Sequence, residues 1–145
     1  MSSIYNDDCW SLFQSAIDGK PVIIRARSYL PSKVDRQLFP VLVTVAWRYD
    51  ANEHGMPPPS VVEQISSLDE ALGSKFAERG AAVEVASITG NSVKEWRFYA
   101  TDAEAFMSAF NAALSGHPRY PLEFNAYADL LWAALAELGV PHADS

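Results

Sequence analysis

Glu95, Arg97 and Tyr99 alternate with Trp96 and Phe98 in the stretch EWRFYATD, residues 95–102. A period of two puts the acid, the base and the phenol on one face of a strand and the two large rings on the other. Such a trio has two uses. Carboxylates held in a low-dielectric cleft serve as general acids or bases. On an open surface they form cross-strand ion pairs, each contributing roughly 0.2–1 kcal/mol, or contact a partner, where Arg and Tyr are favoured. The same alternation in neighbouring strands adds Thr44 and Asn125 to that face. The candidate binding surface is then Arg48, Glu84, Glu95, Arg97, Tyr99, Glu123 and Tyr127.

Other chemistry-bearing residues form no constellation. His54, His117 and His142 stand beside Gly or Pro in loops or the tail, and none has a second ligand-type residue one helical turn away. Cys9 is the single cysteine, so it reads as an isolated thiol. Asp69-Glu70 reads as the solvated side of a helix and Asp7-Asp8 as terminal charge. There is no phosphate-cradling glycine loop, nucleophile elbow or zinc-protease helix. No catalytic residue, metal or cofactor is expected.

The elements that must position the candidate face read clearly over most of the chain. Asp18-Gly19 marks a tight hairpin between an arm at 10–17 and the strand at 22–27; Trp10, Phe13 and Ile17 also fit a short helix face. FPVLVTVAWRY, residues 39–49, is a strand with Val41, Val43 and Val45 on its core side. HGMPPPS follows as a stiff connector. Ser60 and Glu63 form a capping box, and Ile65, Leu68, Leu72 and Phe76 give a helical stripe ending before Gly80. Two strands, 82–89 and 92–101, meet around Gly90-Asn91. Thr101 and Glu104 make a second capping box, with Thr101 as cap and Asp102 in the first turn. A helix with Phe106 and Phe110 runs on to Gly116. A strand over 120–126 follows, then a helix near 128–138 stopped by Gly139 and Pro141.

From 39 to 127 the order is β, α, β, β, α, β. Two right-handed crossovers would lay both helices on one face of a four-stranded antiparallel sheet, a ferredoxin-like α+β domain. The hairpin extends that sheet and the last helix packs at its end. Trp96 and Phe98 take the helix side, which leaves the candidate surface on the uncovered side.

Composition fits one domain across all 145 residues: 49% of residues are hydrophobic and 20% charged. The net charge of −7 is uneven, with +2 in residues 1–48 and the acid excess beyond. Arg25, Arg27, Lys33 and Arg36 are the only basic cluster, so nucleic acid is a poor partner. With no apolar run near membrane-spanning length and no apolar leader in MSSIYNDDCW, the chain reads as soluble and cytoplasmic.

Several of these residues together resemble the bacterial domains of unknown function 695. They are Trp10 with Phe13, the FPVLVTVAWRY strand, and Gly55-Met56-Pro57 before the first long helix. The run from Thr89-Gly90 through Trp96, Phe98 and Tyr99 to Asp102 follows, and then Asp129-x-x-Trp132. Leu130 departs from the pattern, which has Pro after the Asp. The resemblance implies no catalytic residue. Similar domains occur beside domains resembling a regulator of ribonuclease activity, which implies regulation by protein binding.

Three function classes follow. The first is a non-enzymatic protein-binding module, an acidic inhibitor or immunity-like partner of a basic protein. The second is a hydrolase or small-molecule-binding protein using Glu84, Glu95 or Glu123 with Arg97 and Tyr99. The third is a structural homo-oligomer, such as a homodimer joined through sheet edges or faces.

Overall fold

The computed structural model describes residues 10–76 and 80–140. Asp7, Asp8, Cys9, Pro141 and His142 lie outside the described residues. Among the described residues the architecture is α+β, with one six-stranded antiparallel sheet and four helices.

Strands β1 (Trp10–Ile17) and β2 (Lys20–Arg27) form the N-terminal hairpin, so the first arm is a strand rather than a helix. Asp18 and Gly19 both take positive φ, 52° and 77°, as the tight right-twisted turn demands. A short helix α1 (Lys33–Leu38), which the periodicity did not signal, begins where the Ser32 hydroxyl accepts from the Asp35 amide. It buries none of its residues. β3 (Val41–Arg48) and the long helix α2 (Pro59–Phe76) follow.

The capping-box expectation at Ser60 is off by a turn position. Pro59 opens α2, where its missing N–H is no loss, and the Pro58 carbonyl accepts from Val61 and Val62. β4 (Ala82–Gly90) and β5 (Val93–Ala100) are joined by Asn91 and Ser92, both at positive φ. Gly90 is forced by space: a Cβ there would lie 2.7 Å from the Pro21 carbonyl oxygen of β2. α3 (Ala103–Ala113) is capped by Asp102, not Thr101, because the Asp102 carboxylate reaches the Ala105 amide at 2.7 Å. β6 (Leu122–Ala128) is shifted two residues along from the expected strand and takes Ala128 from the closing helix, which shrinks to α4 (Ala133–Ala136).

The strand order is β1-β2-β4-β5-β3-β6. α2 packs on β4 and α3 on β3 and β5, burying Val43, Val45, Trp47, Ile65, Leu68, Leu72, Phe76, Trp96, Phe98, Phe106 and Phe110 in one layer. Trp96 and Phe98 are thus core on the helix side, as their alternation requires. The opposite face is not wholly open. The C-terminal segment returns across it and closes a second layer from Val22, Ile24, Ala26, Leu42, Val83, Val85, Tyr99, Trp132 and Leu135.

Candidate functional site

Pairing sets the candidate face out as rows across β5, β3 and β6. Tyr99, Leu42 and Tyr127 form one row; Arg97, Thr44 and Asn125 the next; Glu95, Ala46 and Glu123 the third, with Arg48 beyond. Five of the seven candidates, Arg48, Glu95, Arg97, Glu123 and Tyr127, share this surface and keep some exposure. Arg97 Nε donates to Glu95 Oε2 at 2.7 Å, and Arg48 stands 3.5 Å from Glu123. The Arg48–Glu123 pair is solvated and the Arg97–Glu95 pair half-buried, and Tyr127 stands exposed on the same face.

Tyr99 differs: it is fully buried, so at this position the face is covered rather than open. Its ring stacks on Trp132, centroids 4.0 Å apart and planes within 4°, a contact worth about 0.5–1.5 kcal/mol beyond its burial. Its hydroxyl donates to Asp129 Oδ2 at 2.7 Å. The same carboxylate accepts from the amides of Ala133 and Ala134, capping α4. Trp132 Nε1 donates to the Phe39 carbonyl at 2.9 Å, and the Asp129 amide donates to the Pro40 carbonyl at 2.8 Å. Arg97 adds a bond from Nη1 to the Ala134 carbonyl. Burial, then the Asp129 carboxylate, push the Tyr99 phenol far above its ordinary value. Tyr99 therefore stays protonated, with its hydroxyl spent on Asp129.

Between the two anchors the chain turns sharply, and Trp132 takes the left-handed conformation at φ 58°. That turn holds Leu130 and Leu131 outward, 66% and 75% exposed. Val34 and Leu38, four residues apart on α1, are exposed too, and α1 runs directly into the Phe39-Pro40 carbonyls that hold the turn. A helix over 128–138 would have included Leu130 and Leu131, so the periodicity did not signal their exposure in a turn. The spacing Asp129-x-x-Trp132 was the available signal.

Glu84 is the candidate whose placement differs most from expectation. A bulge between Glu84 and Ala86 shifts the register, and Glu84 lies opposite Phe98, on the helix side. There it is buried within a charged layer: Arg25 and Arg27 from β2, Lys94 from β5 and Asp69 from α2. Asp69, expected to be solvated, accepts from Trp96 Nε1 and approaches Lys94 Nζ to 3.8 Å. Arg25 and Arg27 lie against the Trp10 ring, 3.8 and 4.7 Å from its centroid.

Burial is the largest influence on Glu84, followed by repulsion from Asp69; together they outweigh the three cations and push its carboxyl up to about 7. The nearby arginines do not reverse this. Arg25 Nη1 is 3.5 Å from the carboxylate, long for a charged hydrogen bond, and its side chain is 47% exposed against 11% for Glu84. Arg27 Nε donates to the Glu84 backbone carbonyl instead. No sequence pattern announces a bulge of this kind.

Two concavities among the described residues open on the surface. One of about 620 Å³ is lined by Arg48, Arg119, Tyr120 and Glu123. Another of about 400 Å³ runs beside His117, which meets the Tyr120 hydroxyl at 3.0 Å. Among the described residues no group of three or more His, Cys, Asp and Glu side chains could hold a metal ion. No helix among them is long and apolar enough to cross a membrane.

Fold and site together define a small antiparallel α+β domain whose C-terminal segment is clamped onto the sheet by Tyr99, Asp129 and Trp132. The chain belongs to the family of unknown function DUF695, whose model matches residues 8–138. No curated protein matches the chain, and no solved structure does. The residues behind the family resemblance have structural partners here. Tyr99 meets Asp129 and Trp132, Trp96 meets Asp69, and the Gly55 carbonyl accepts from the Tyr49 hydroxyl and the Ser92 amide.

Proposed function

We propose that the chain is a non-enzymatic protein-binding module that docks a basic protein through the apolar tip at Leu130 and Leu131. The observation that carries this reading is how the tip is presented. Two leucines stand out in solvent between two residues fixed from several sides. Each exposed leucine forgoes roughly 1.5–3 kcal/mol of burial, and a large exposed apolar patch marks an interaction site. Val34 and Leu38 are further exposed apolar side chains on α1, the helix that leads into the Phe39 and Pro40 carbonyls holding the turn. On the adjoining sheet face, Tyr127 and the Arg97–Glu95 pair, which reaches α4 through the Ala134 carbonyl, supply polar groups beside the tip.

The net charge of −7 favours encounter with a basic partner. A module of this kind would act in the cytoplasm as an inhibitor or regulator rather than as a catalyst. We further infer that its core is ferredoxin-like. The adjacency β4-β5-β3-β6, with α2 and α3 as the two crossovers between them, supports that arrangement.

A photo-crosslinking side chain placed at position 131 tests the docking site against one at Ser108 on the outer side of α3. Position 131 should yield an adduct with a basic protein and position 108 should not. Equal labelling from both would remove the reading. One observation favours the enzymatic alternative: Glu84, an acid held near neutrality, is suited to proton transfer. Turnover on a hydrolase substrate panel that disappears in Glu84→Gln, with folding intact, would favour it instead.

A further inference from the structure

Among the described residues the sheet ends on one side in β1, eight residues that pair with β2 along their whole length without a bulge. Natural edge strands are commonly blunted by charge, proline, bulges or a covering element. β1, with the sequence WSLFQSAI, contains no charged residue and no proline, and seven of its side chains beyond Trp10 include six that are well exposed. Leu12, in mid-strand, is 73% exposed. It shares its face with Arg25, directly opposite on β2, and with Ile23, which lies diagonally across from it opposite Gln14 and is exposed as well.

We infer that β1 is a dimerisation edge that pairs antiparallel with β1 of a second copy, joining two sheets into one of twelve strands. Four features of the molecule select a second copy as occupant. The partner strand is already ordered in its own hairpin, so pairing avoids the entropy of ordering a free peptide. A strand without charge meets itself with no like-charge pair across the ladder. Residues 1–48 carry only +2, whereas the acid excess that would drive two chains apart lies later in the sequence. A two-fold axis normal to the sheet also closes the assembly after two copies.

That symmetry fixes which side chains meet. Only registers pairing even with even positions keep like faces together, because successive residues point to opposite sides. Trp10, Leu12, Gln14 and Ala16 of one copy then face the same residues of the other, with the two Leu12 side chains opposite or diagonal. The exposed Leu12–Ile23 strip becomes continuous across the junction. An eight-residue edge contact belongs to the small end of specific interfaces, below about 1,200 Å², so the dimer should be concentration-dependent.

Sedimentation velocity over a series from micromolar to millimolar protein tests this. The wild-type mass should rise from 15.9 kDa towards twice that value. Leu12→Lys should stay monomeric throughout with unchanged circular dichroism, and Leu131→Lys should dimerise like the wild type. Gln14→Lys, exposed on the same face, is the second variant should Leu12→Lys fail to fold, and it too should be monomeric. A wild type that stays monomeric at millimolar concentration overturns the inference. So does a Leu12→Lys chain that still dimerises, or growth past the dimer, as pairing of β1 with the other edge strand, β6, would give.

Discussion

Replacing Glu84 with glutamine should remove a pH dependence that the wild-type fold carries between about pH 4.5 and 7. The side chain is buried between β2, β5 and α2, facing Arg25 and Arg27, Lys94 and Asp69, and its carboxyl is pushed from an ordinary 4.5 up to about 7. The folded state therefore holds this proton more tightly than the unfolded chain does. Its stabilising contribution is complete below about pH 4.5, declines as pH rises through about 7, and is gone above it. A displacement of that size corresponds to about 3 kcal/mol at most, a large part of the 5–15 kcal/mol that is roughly typical of a domain.

Urea denaturation at steps from pH 5 to 8.5, followed by tryptophan fluorescence, measures it. Relative to Glu84→Gln, the wild type should lose on the order of 2–3 kcal/mol across that interval, with the slope steepest midway between the ordinary 4.5 and the raised value of about 7 and flat above it. Glutamine starts from its own baseline, so the difference in slope is the readout. Parallel profiles for the two proteins would refute the reasoning and show Glu84 ionised throughout, held by Arg25.

Four further outcomes follow from particular contacts. Tyr99→Phe leaves the Asp129 carboxylate without one donor and should cost about 1–2 kcal/mol in urea melts. Trp132→Ala also removes the stacked ring and should cost about 3–5 kcal/mol. Asp102→Ala should destabilise by about 1 kcal/mol while Thr101→Ala stays near neutral, because only Asp102 caps α3. Gly90→Ala should lower the thermal midpoint far more than Gly19→Ala. Both glycines have positive φ, but only at Gly90 would the new Cβ strike backbone, whereas Gly19 has open space.

Period-two alternation made the sheet legible. FPVLVTVAWRY and KEWRFYA gave β3, β5 and their buried faces, and Asp18-Gly19 with Gly90-Asn91 gave both hairpins. Local chemistry placed α2 and α3 but misjudged their first turns, where Pro58–Pro59 and Asp102 compete with nearby Ser and Thr. Two features of the site depended on long-range contacts and could not be read locally. The bulge at Glu84–Ala86 sends Glu84 to the helix side. The closing segment is organised by Tyr99, thirty residues upstream of Asp129, so helical-looking leucines became an exposed turn.

The docking tip is tested most directly by quantitative binding to a basic partner captured by the wild type and then purified. Calorimetry should show a Leu130→Asp/Leu131→Asp variant binding at least tenfold more weakly, about 1.4 kcal/mol or more. Its urea midpoint should be unchanged, because neither side chain is buried in the free protein. Equal affinity for wild type and variant, with both fully folded, would contradict the account.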